Sequence, residues 1–313
     1  MAEQTRNDTH YDNRAWLTLG LLSVFWGGSF PFYRILAPVL PPFMLVLGRV
    51  GLAALFLHIV LLIRKQPLKL SRTSALWMLV LGALNCAIPF SFYAWSGQRI
   101  PGGVAATLNA TTPIFTVIAL HVATSDQKLN RRTILGCLCA FAGVFVLIGR
   151  DFITGQSAAW IWGELGCLCA TTSYAIGGVF ARRLAGVAPL HLATGQMTAA
   201  ALCVLPLAIF MENMSPLRPM TTSSWSAVAG FALLSTAIPY MVYFRLLARY
   251  GVTMASLVTF MTPVTAILMG AAFLGERLSW NVCLGGVLIG GGLIVIDGRI
   301  LRRLWKREEP TPA

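Results

Sequence analysis

The chain has 313 residues, of which 57% are hydrophobic and only 11% charged, with a mean hydropathy of +0.72. That balance excludes an ordinary soluble domain and makes lipid the main solvent. Lys and Arg outnumber Asp and Glu by 24 to 11, a net charge of +13 that anionic headgroups and membrane topology explain without any nucleic-acid partner.

A hydrocarbon core about 30 Å thick needs roughly 20 helical residues, because each rises about 1.5 Å. Ten apolar segments meet that length, at about 16–35, 41–63, 76–97, 102–122, 132–149, 163–182, 190–211, 225–246, 252–274 and 281–298. Most of the connections are too short to hold a soluble catalytic domain. The first segment is expected to stay as a span rather than be cleaved as a signal peptide, since Arg14 to Leu36 is long and contains Trp26-Gly27-Gly28.

Taken in order, the first segment carries Trp26 and Ser29, and the second opens at Pro41-Pro42 and holds Arg49. A guanidinium inside a span needs carbonyls, a carboxylate or water; a long Arg can also reach back towards the headgroups. We read Arg49 as a structural or gating residue. On the third segment Asn85, Pro89, Phe92 and Ser96 share a face, with Tyr93 beside it; on the fourth, Asn109, Thr112, Pro113 and Thr116 do the same. The fifth is glycine-punctuated at Gly136 and Gly143. The sixth brings Glu164, Thr172 and Tyr174, with Glu164 expected at the helix start, where a carboxylate suits the dipole. The eighth contributes Tyr243, and the ninth repeats the fourth with Thr259, Thr262, Pro263 and Ala266.

The two halves share landmarks. Ala87-Ile88-Pro89 and Tyr93 recur as Ala237-Ile238-Pro239 and Tyr243, and Arg99, Ala105 and Thr112-Pro113 recur as Arg249, Ala255 and Thr262-Pro263, all 150 positions on. Gly136 and Gly143 answer to Gly285 and Gly292, and Trp26 and Arg34 to Tyr174 and Arg182, with small register changes that fall in loops. Five segments per half is an odd number, so the second half enters the membrane from the opposite face. Inverted repeats of this kind are a physical route to alternating access.

Basic residues cluster on one side of such a topology. Arg64, Lys65, Lys69 and Arg72 are followed there by Lys128, Arg131 and Arg132, by Arg182 and Arg183, by Arg245 and Arg249, and by the tail from Arg299 to Arg307. By the positive-inside rule both termini are cytoplasmic. Trp16, Trp77, Trp160, Trp225 and Trp280 are placed as interface anchors.

Trp26-Gly27-Gly28-Ser29-Phe30 with Arg34, Pro41-Pro42 with Arg49, the paired Thr-Pro motifs and Gly275-Glu276-Arg277-Leu278 followed by Gly285 and Gly292 together resemble the drug/metabolite transporter superfamily, in particular its EamA-type ten-helix transporters. In the first half the acidic loop motif departs to Ser125-Asp126-Gln127-Lys128-Leu129. The resemblance covers about 15–298 and implies two repeats, 1–150 with an N-terminal cytoplasmic tail and 151–313 with a basic C-terminal tail. It also implies an all-α integral membrane fold of ten transmembrane helices, built as two inverted five-helix repeats around a central cavity in the inner (plasma) membrane.

For that cavity the substrate-binding candidates are Trp26, Asn85, Tyr93, Asn109, Tyr174, Tyr243 and Thr259, and the helix bends or gating elements are Pro89, Pro113, Pro239, Pro263 and Arg49. Thr107, Thr116 and Thr262 are read as structural, because hydroxyls in lipid bond to their own helix. The Cys-Leu-Cys pairs do not chelate one ion, since residues two apart on a helix diverge, and neither a metal nor a cofactor is expected. No phosphate loop, zinc helix or nucleophile elbow is present, so ATP-driven transport by this chain is not expected.

The resulting expectation is a secondary transporter or facilitator exporting small metabolites, foremost amino acids or related compounds. An importer or exchanger of sugars, nucleobases or quaternary amines is the alternative. A lipid-modifying membrane enzyme would need clustered acids, His or nucleophiles at one depth, which the sequence lacks. A homodimer is compatible with the sequence but not specified by it.

Overall fold

A computed structural model describes residues 12–124, 129–153, 155–184, 186–277 and 279–297. The acidic loop motif at 125–128, Leu278, the basic tail and both termini lie outside the described residues, so the side on which the ends sit is not fixed by them.

Among the described residues all regular structure is helical. α1 (Asn13–Gly27) and α2 (Ser29–Leu36) form one apolar rod, and Asp12 Oδ1 caps its start by accepting from the Ala15 amide at 2.9 Å. α3 (Pro42–Ile63) begins on a proline, whose missing N–H costs nothing in a first turn. Its next two amides donate to Glu212, Phe43 N at 2.9 Å and Met44 N at 2.7 Å.

α4 (Arg72–Gly82) passes through a five-residue π turn, Ala83–Ala87, into α5 (Ile88–Gly97). α11 (Thr222–Ala232) passes through the π turn Leu233–Ala237 into α12 (Ile238–Ser256) in the same way. The two π turns stand 150 positions apart, each just before an Ile-Pro pair. Proline supplies no N–H and crowds the preceding turn, and widening that turn accommodates it.

α6 (Gly102–Asn109) and α7 (Thr112–Ala123) are one stretch interrupted at Ala110-Thr111, where Pro113 in the first turn of α7 prevents continuous α-helix. The remaining helices are α8 (Arg131–Ile153), α9 (Ala158–Phe180), α10 (Pro189–Glu212), α13 (Val258–Leu274) and α14 (Trp280–Asp297).

Seven described stretches are long and apolar enough to cross a membrane: Asn13–Leu36, Pro42–Ile63, Arg72–Gly97, Gly102–Ala123, Arg131–Gly149, Pro189–Glu212 and Thr222–Gly251. Val258–Leu274 and Trp280–Ile296 are apolar but shorter. α9 has the length, at 23 residues, but carries Glu164, Thr171, Thr172, Ser173 and Tyr174.

One expectation is corrected. α9 starts at Ala158, with Ser157 Oγ accepting from the Trp160 amide, so Glu164 lies nearly two turns inside and is fully buried rather than at a helix start. The helical run Ile238–Ser256 is broken at Gly251, whose φ of 79° and ψ of 174° are non-helical and open to glycine without steric cost, so the eighth span ends there and the ninth follows from 252.

α8 and α14 meet through glycine. A Cβ on Gly136 would stand 2.6 Å from the Gly292 carbonyl oxygen, and one on Gly143 would stand 2.7 Å from that of Gly285. The glycines that correspond across the halves therefore pair crosswise along antiparallel helices, letting the backbones approach as only small residues allow.

Candidate functional site

α1 and α2 bring Trp26, Phe30 and Tyr33 to one face at spacings of four and three. α12 does the same with Tyr240, Tyr243, Phe244 and Leu247. These two faces meet: the Trp26 ring lies 5.1 Å from Tyr243 and 5.9 Å from Tyr240, centroid to centroid. Tyr93 of α5 lies edge-on to Phe30 at 5.6 Å and 6.4 Å from Tyr174 of α9.

The space they enclose is a cavity of about 340 Å³. Trp26, Asn85, Tyr93, Asn109, Tyr174, Tyr243 and Thr259 all line it, so the structure gathers all seven residues singled out in the sequence. At one end the lining reaches Gly178, Ala181 and Leu247, towards the membrane face where α1 starts. At the other it meets Tyr33 and Arg49, which are 2% and 3% exposed.

Its polar groups are largely engaged with one another. Tyr93 donates its hydroxyl proton to Asn109 Oδ1 at 2.7 Å, tying α5 to α6. The Asn85 amide packs against Gly177, where a Cβ would overlap it. Thr107, Thr116 and Thr262 each donate to a carbonyl four residues back at 2.8 Å.

Arg49 does not reach back to the headgroups, which corrects that part of the sequence reading. Its Nε donates to Thr236 Oγ1 at 2.7 Å, one Nη donates to the Tyr33 hydroxyl, and the other Nη donates to the Ser235 carbonyl at 3.3 Å. The guanidinium also sits over Phe90, 3.6 Å from its centroid, and 4.4 Å from that of Phe231. Hydrogen bonds from a charged donor are worth about 1.5–3 kcal/mol each, and desolvated cation–π contacts about 2. A fork of this geometry therefore carries a cation into the protein without a carboxylate. No carboxylate stands among the residues described as lining the cavity.

The bending prolines occupy three different settings. Pro89 and Pro239 sit at the starts of α5 and α12, Pro113 lies in the first turn of α7, and Pro263 lies inside α13. Each leaves a carbonyl of the preceding turn without its usual donor, four residues back in α-geometry and five back in π. Side chains answer carbonyls in three of these turns. Ser235 O receives Arg49, Asn85 O receives the Tyr240 hydroxyl at 3.5 Å, and Asn109 O receives Thr112 Oγ1 at 2.8 Å. Ser173 Oγ adds a bond to the neighbouring Leu84 carbonyl at 2.8 Å.

Tyr33, Tyr240, Phe244 and Gln196 also line the cavity and were not singled out in the sequence. Two signals point to them: Tyr240 follows Pro239 as Phe90 follows Pro89, and Tyr33 continues the Trp26–Phe30 face. Gln196 stands where the repeat places the counterpart of Arg49. Of the cysteine pairs, Cys167 is buried and Cys169 exposed, on opposite faces of α9.

The pattern that defines the EamA-like transporter family matches this chain twice, over residues 14–149 and 161–297. Uncharacterized transporter YoaV of Bacillus subtilis (strain 168) is 24% identical over 288 residues, covering 91% of this chain and 98% of the relative. Protein PecM of Dickeya dadantii (strain 3937) is 27% identical over 292 residues, covering 91% and 93%. A probable amino-acid metabolite efflux pump of Escherichia coli (strain K12) is 27% identical over 286 residues, covering 88% and 92%. A solved crystal structure of a protein 20% identical to this one superposes with a TM-score of 0.65 over 94% of this chain and 99% of the other, a likeness of fold.

Proposed function

The chain belongs to the EamA-like transporter family, whose members are membrane transporters rather than enzymes, and from that premise we propose that it exports amino acids or related small metabolites through its central cavity. The observation that carries the proposal is the cavity's chemistry: aromatic walls, neutral amides and hydroxyls, one buried guanidinium, and no carboxylate among the described lining residues. Such a site suits a solute with an apolar body and a carboxylate better than a permanent cation, for which a negative partner is the usual means of capture. The name borne by the Escherichia coli relative supports the same substrate class.

Ten crossings arranged as two inverted repeats, 1–150 and 151–313, are the architecture we propose. The matched π turns and the side-chain bonds to paired carbonyls within them support it. With the basic clusters on the inside, both termini are cytoplasmic. The end of the cavity lined by Gly178, Ala181 and Leu247 then faces the cytoplasm, with Tyr33 and Arg49 closing the outer end. Alternating access follows if α5 and α12 swing about their π turns. No carboxylate or His is among the described cavity residues, which favours facilitated efflux or exchange over proton coupling.

The test is efflux from liposomes loaded with amino acids, sugars, nucleobases or quaternary amines, with and without a pH gradient. Saturable amino-acid efflux that survives collapse of the gradient is the expected result. Flux of quaternary amines alone would overturn the substrate class, and flux only along a proton gradient would overturn the energetics.

A further inference from the structure

A second cavity, of about 680 Å³, opens on the side of the molecule between α5, α10 and the start of α3. It is separate from the transport site. The π turn Ala83–Ala87 is the partition, with Asn85 lining the central cavity and Ala83 and Ala87 lining this one. Its rim includes Ile88, Leu207 and Met211, exposed by 40%, 38% and 67% in a part of the chain that crosses the membrane. The groove therefore faces lipid rather than water.

Polarity in the groove is one-sided. Its deep end is Ala83, Ala87, Ile88 and Val204, and its other end is Trp95, Gln98, Arg99 and Glu212, where α5 finishes and α10 finishes. From Ala87 to Arg99 the chain rises about 18 Å at about 1.5 Å per residue, against about 15 Å for half of a hydrocarbon core. The groove thus runs from the headgroup level to the bilayer middle, the depth of one leaflet.

The charges at the polar end differ in availability. Glu212 has both oxygens engaged by the first amides of α3. The Arg99 guanidinium is stacked 3.8 Å from the Trp95 ring and held by one nitrogen, Nη1, which donates to the Trp95 carbonyl at 2.6 Å and lies 3.4 Å from Gln98 Oε1. Its described bonds leave Nε and the other Nη unused, and no described carboxylate forms an ion pair with it. A planar cation oriented by an aromatic face, with donors to spare at headgroup depth, is complementary to a phosphate.

We propose that this groove is a binding site for one phospholipid of the leaflet in which α5 ends, its phosphate on Arg99 and one acyl chain lying along Ile88, Phe92 and Leu207 down to the π turn. The lipid then packs on the outer side of the turn whose inner side lines the transport cavity, so that occupancy bears on the bend that alternating access uses.

Native mass spectrometry of the delipidated full chain, titrated with a palmitoyl-oleoyl phosphatidylglycerol and with the diacylglycerol of the same chains, tests this. The phospholipid should add in a first step at least tenfold tighter than diacylglycerol. Arg99→Ala should abolish that preference while Arg99→Lys retains part of it, and Leu207→Trp, which fills the groove from its exposed wall, should remove the tight step. Melting curves identify any variant that fails to fold, and Arg99→Ala and Leu207→Trp disturb different parts of the site. Equal affinity for the two lipids in the native chain, or a tight step unchanged in folded Arg99→Ala and Leu207→Trp, would overturn the proposal and leave only annular lipid.

Discussion

Arg49 donates to the carbonyl of Ser235 at 3.3 Å, inside the π turn that runs into Pro239. A cation from the first half thus completes the bend of the second. Its plane also bonds Thr236 and Tyr33 and stacks on Phe90, so the fork cannot be replaced by a point charge. Arg49→Lys should lower stability by about 2–4 kcal/mol, since two hydrogen bonds of a charged donor are lost or lengthened. Thr236→Val removes a single acceptor and should cost about half as much. Melting curves in detergent read both, and equal melting of Arg49→Lys and the native protein would show that the fork does not matter.

The prolines should matter for turnover more than for folding. Pro113→Ala and Pro263→Ala restore a backbone donor and allow a straighter helix, shifting the balance between the two open states. Efflux rates should fall several-fold while melting temperatures hold or rise. Unchanged rates in both variants would mean that these prolines shape the cavity without moving.

Glu164 is fully buried in α9 yet is not among the residues lining the cavity. Glu164→Gln should therefore preserve efflux, with its dependence on pH gradient unaltered, whereas Glu164→Leu should lower the melting temperature by breaking polar packing. Loss of flux in a folded Glu164→Gln protein would instead make this carboxylate a proton carrier.

Packing of α8 on α14 offers a test of the fold alone. A side chain at Gly143 would press on the Gly285 backbone, so Gly143→Leu should destabilise by about 1–3 kcal/mol or more. Gly290, with no atom within 4 Å of a built Cβ, should accept Ala at little cost. Similar melting of the two variants would contradict the close approach.

Much of this arrangement was legible in the sequence because lipid enforces it. Every span must satisfy its own backbone, so apolar length, Ile-Pro and Thr-Pro landmarks and polar stripes stand out against hydrocarbon. The stripe logic led to Asn85 and Asn109, with Tyr93 beside the first stripe, and the repeat that matches Tyr93 added Tyr243. It failed where the relevant signal is a tertiary contact. Burial of Arg49 depends on rings from three other elements, α2, α5 and α11, which no local pattern links. Glu164 was misplaced because the apolar run of α9 begins earlier than its hydropathy suggests, with Trp160 and Trp162 diluting the first turns. The π turns are equally invisible by composition, and only the proline that follows each one hints at the widened turn.

The central claim is that solute passes through the cavity shared by the two halves, and site-directed blockade measures it most directly. With the seven native cysteines replaced, a single Cys at Asn109 or Tyr243 is labelled with a bulky maleimide in liposomes, and amino-acid efflux is compared before and after. The account predicts labelling that abolishes efflux and is slowed by the transported amino acid. Full efflux from quantitatively labelled protein would contradict it.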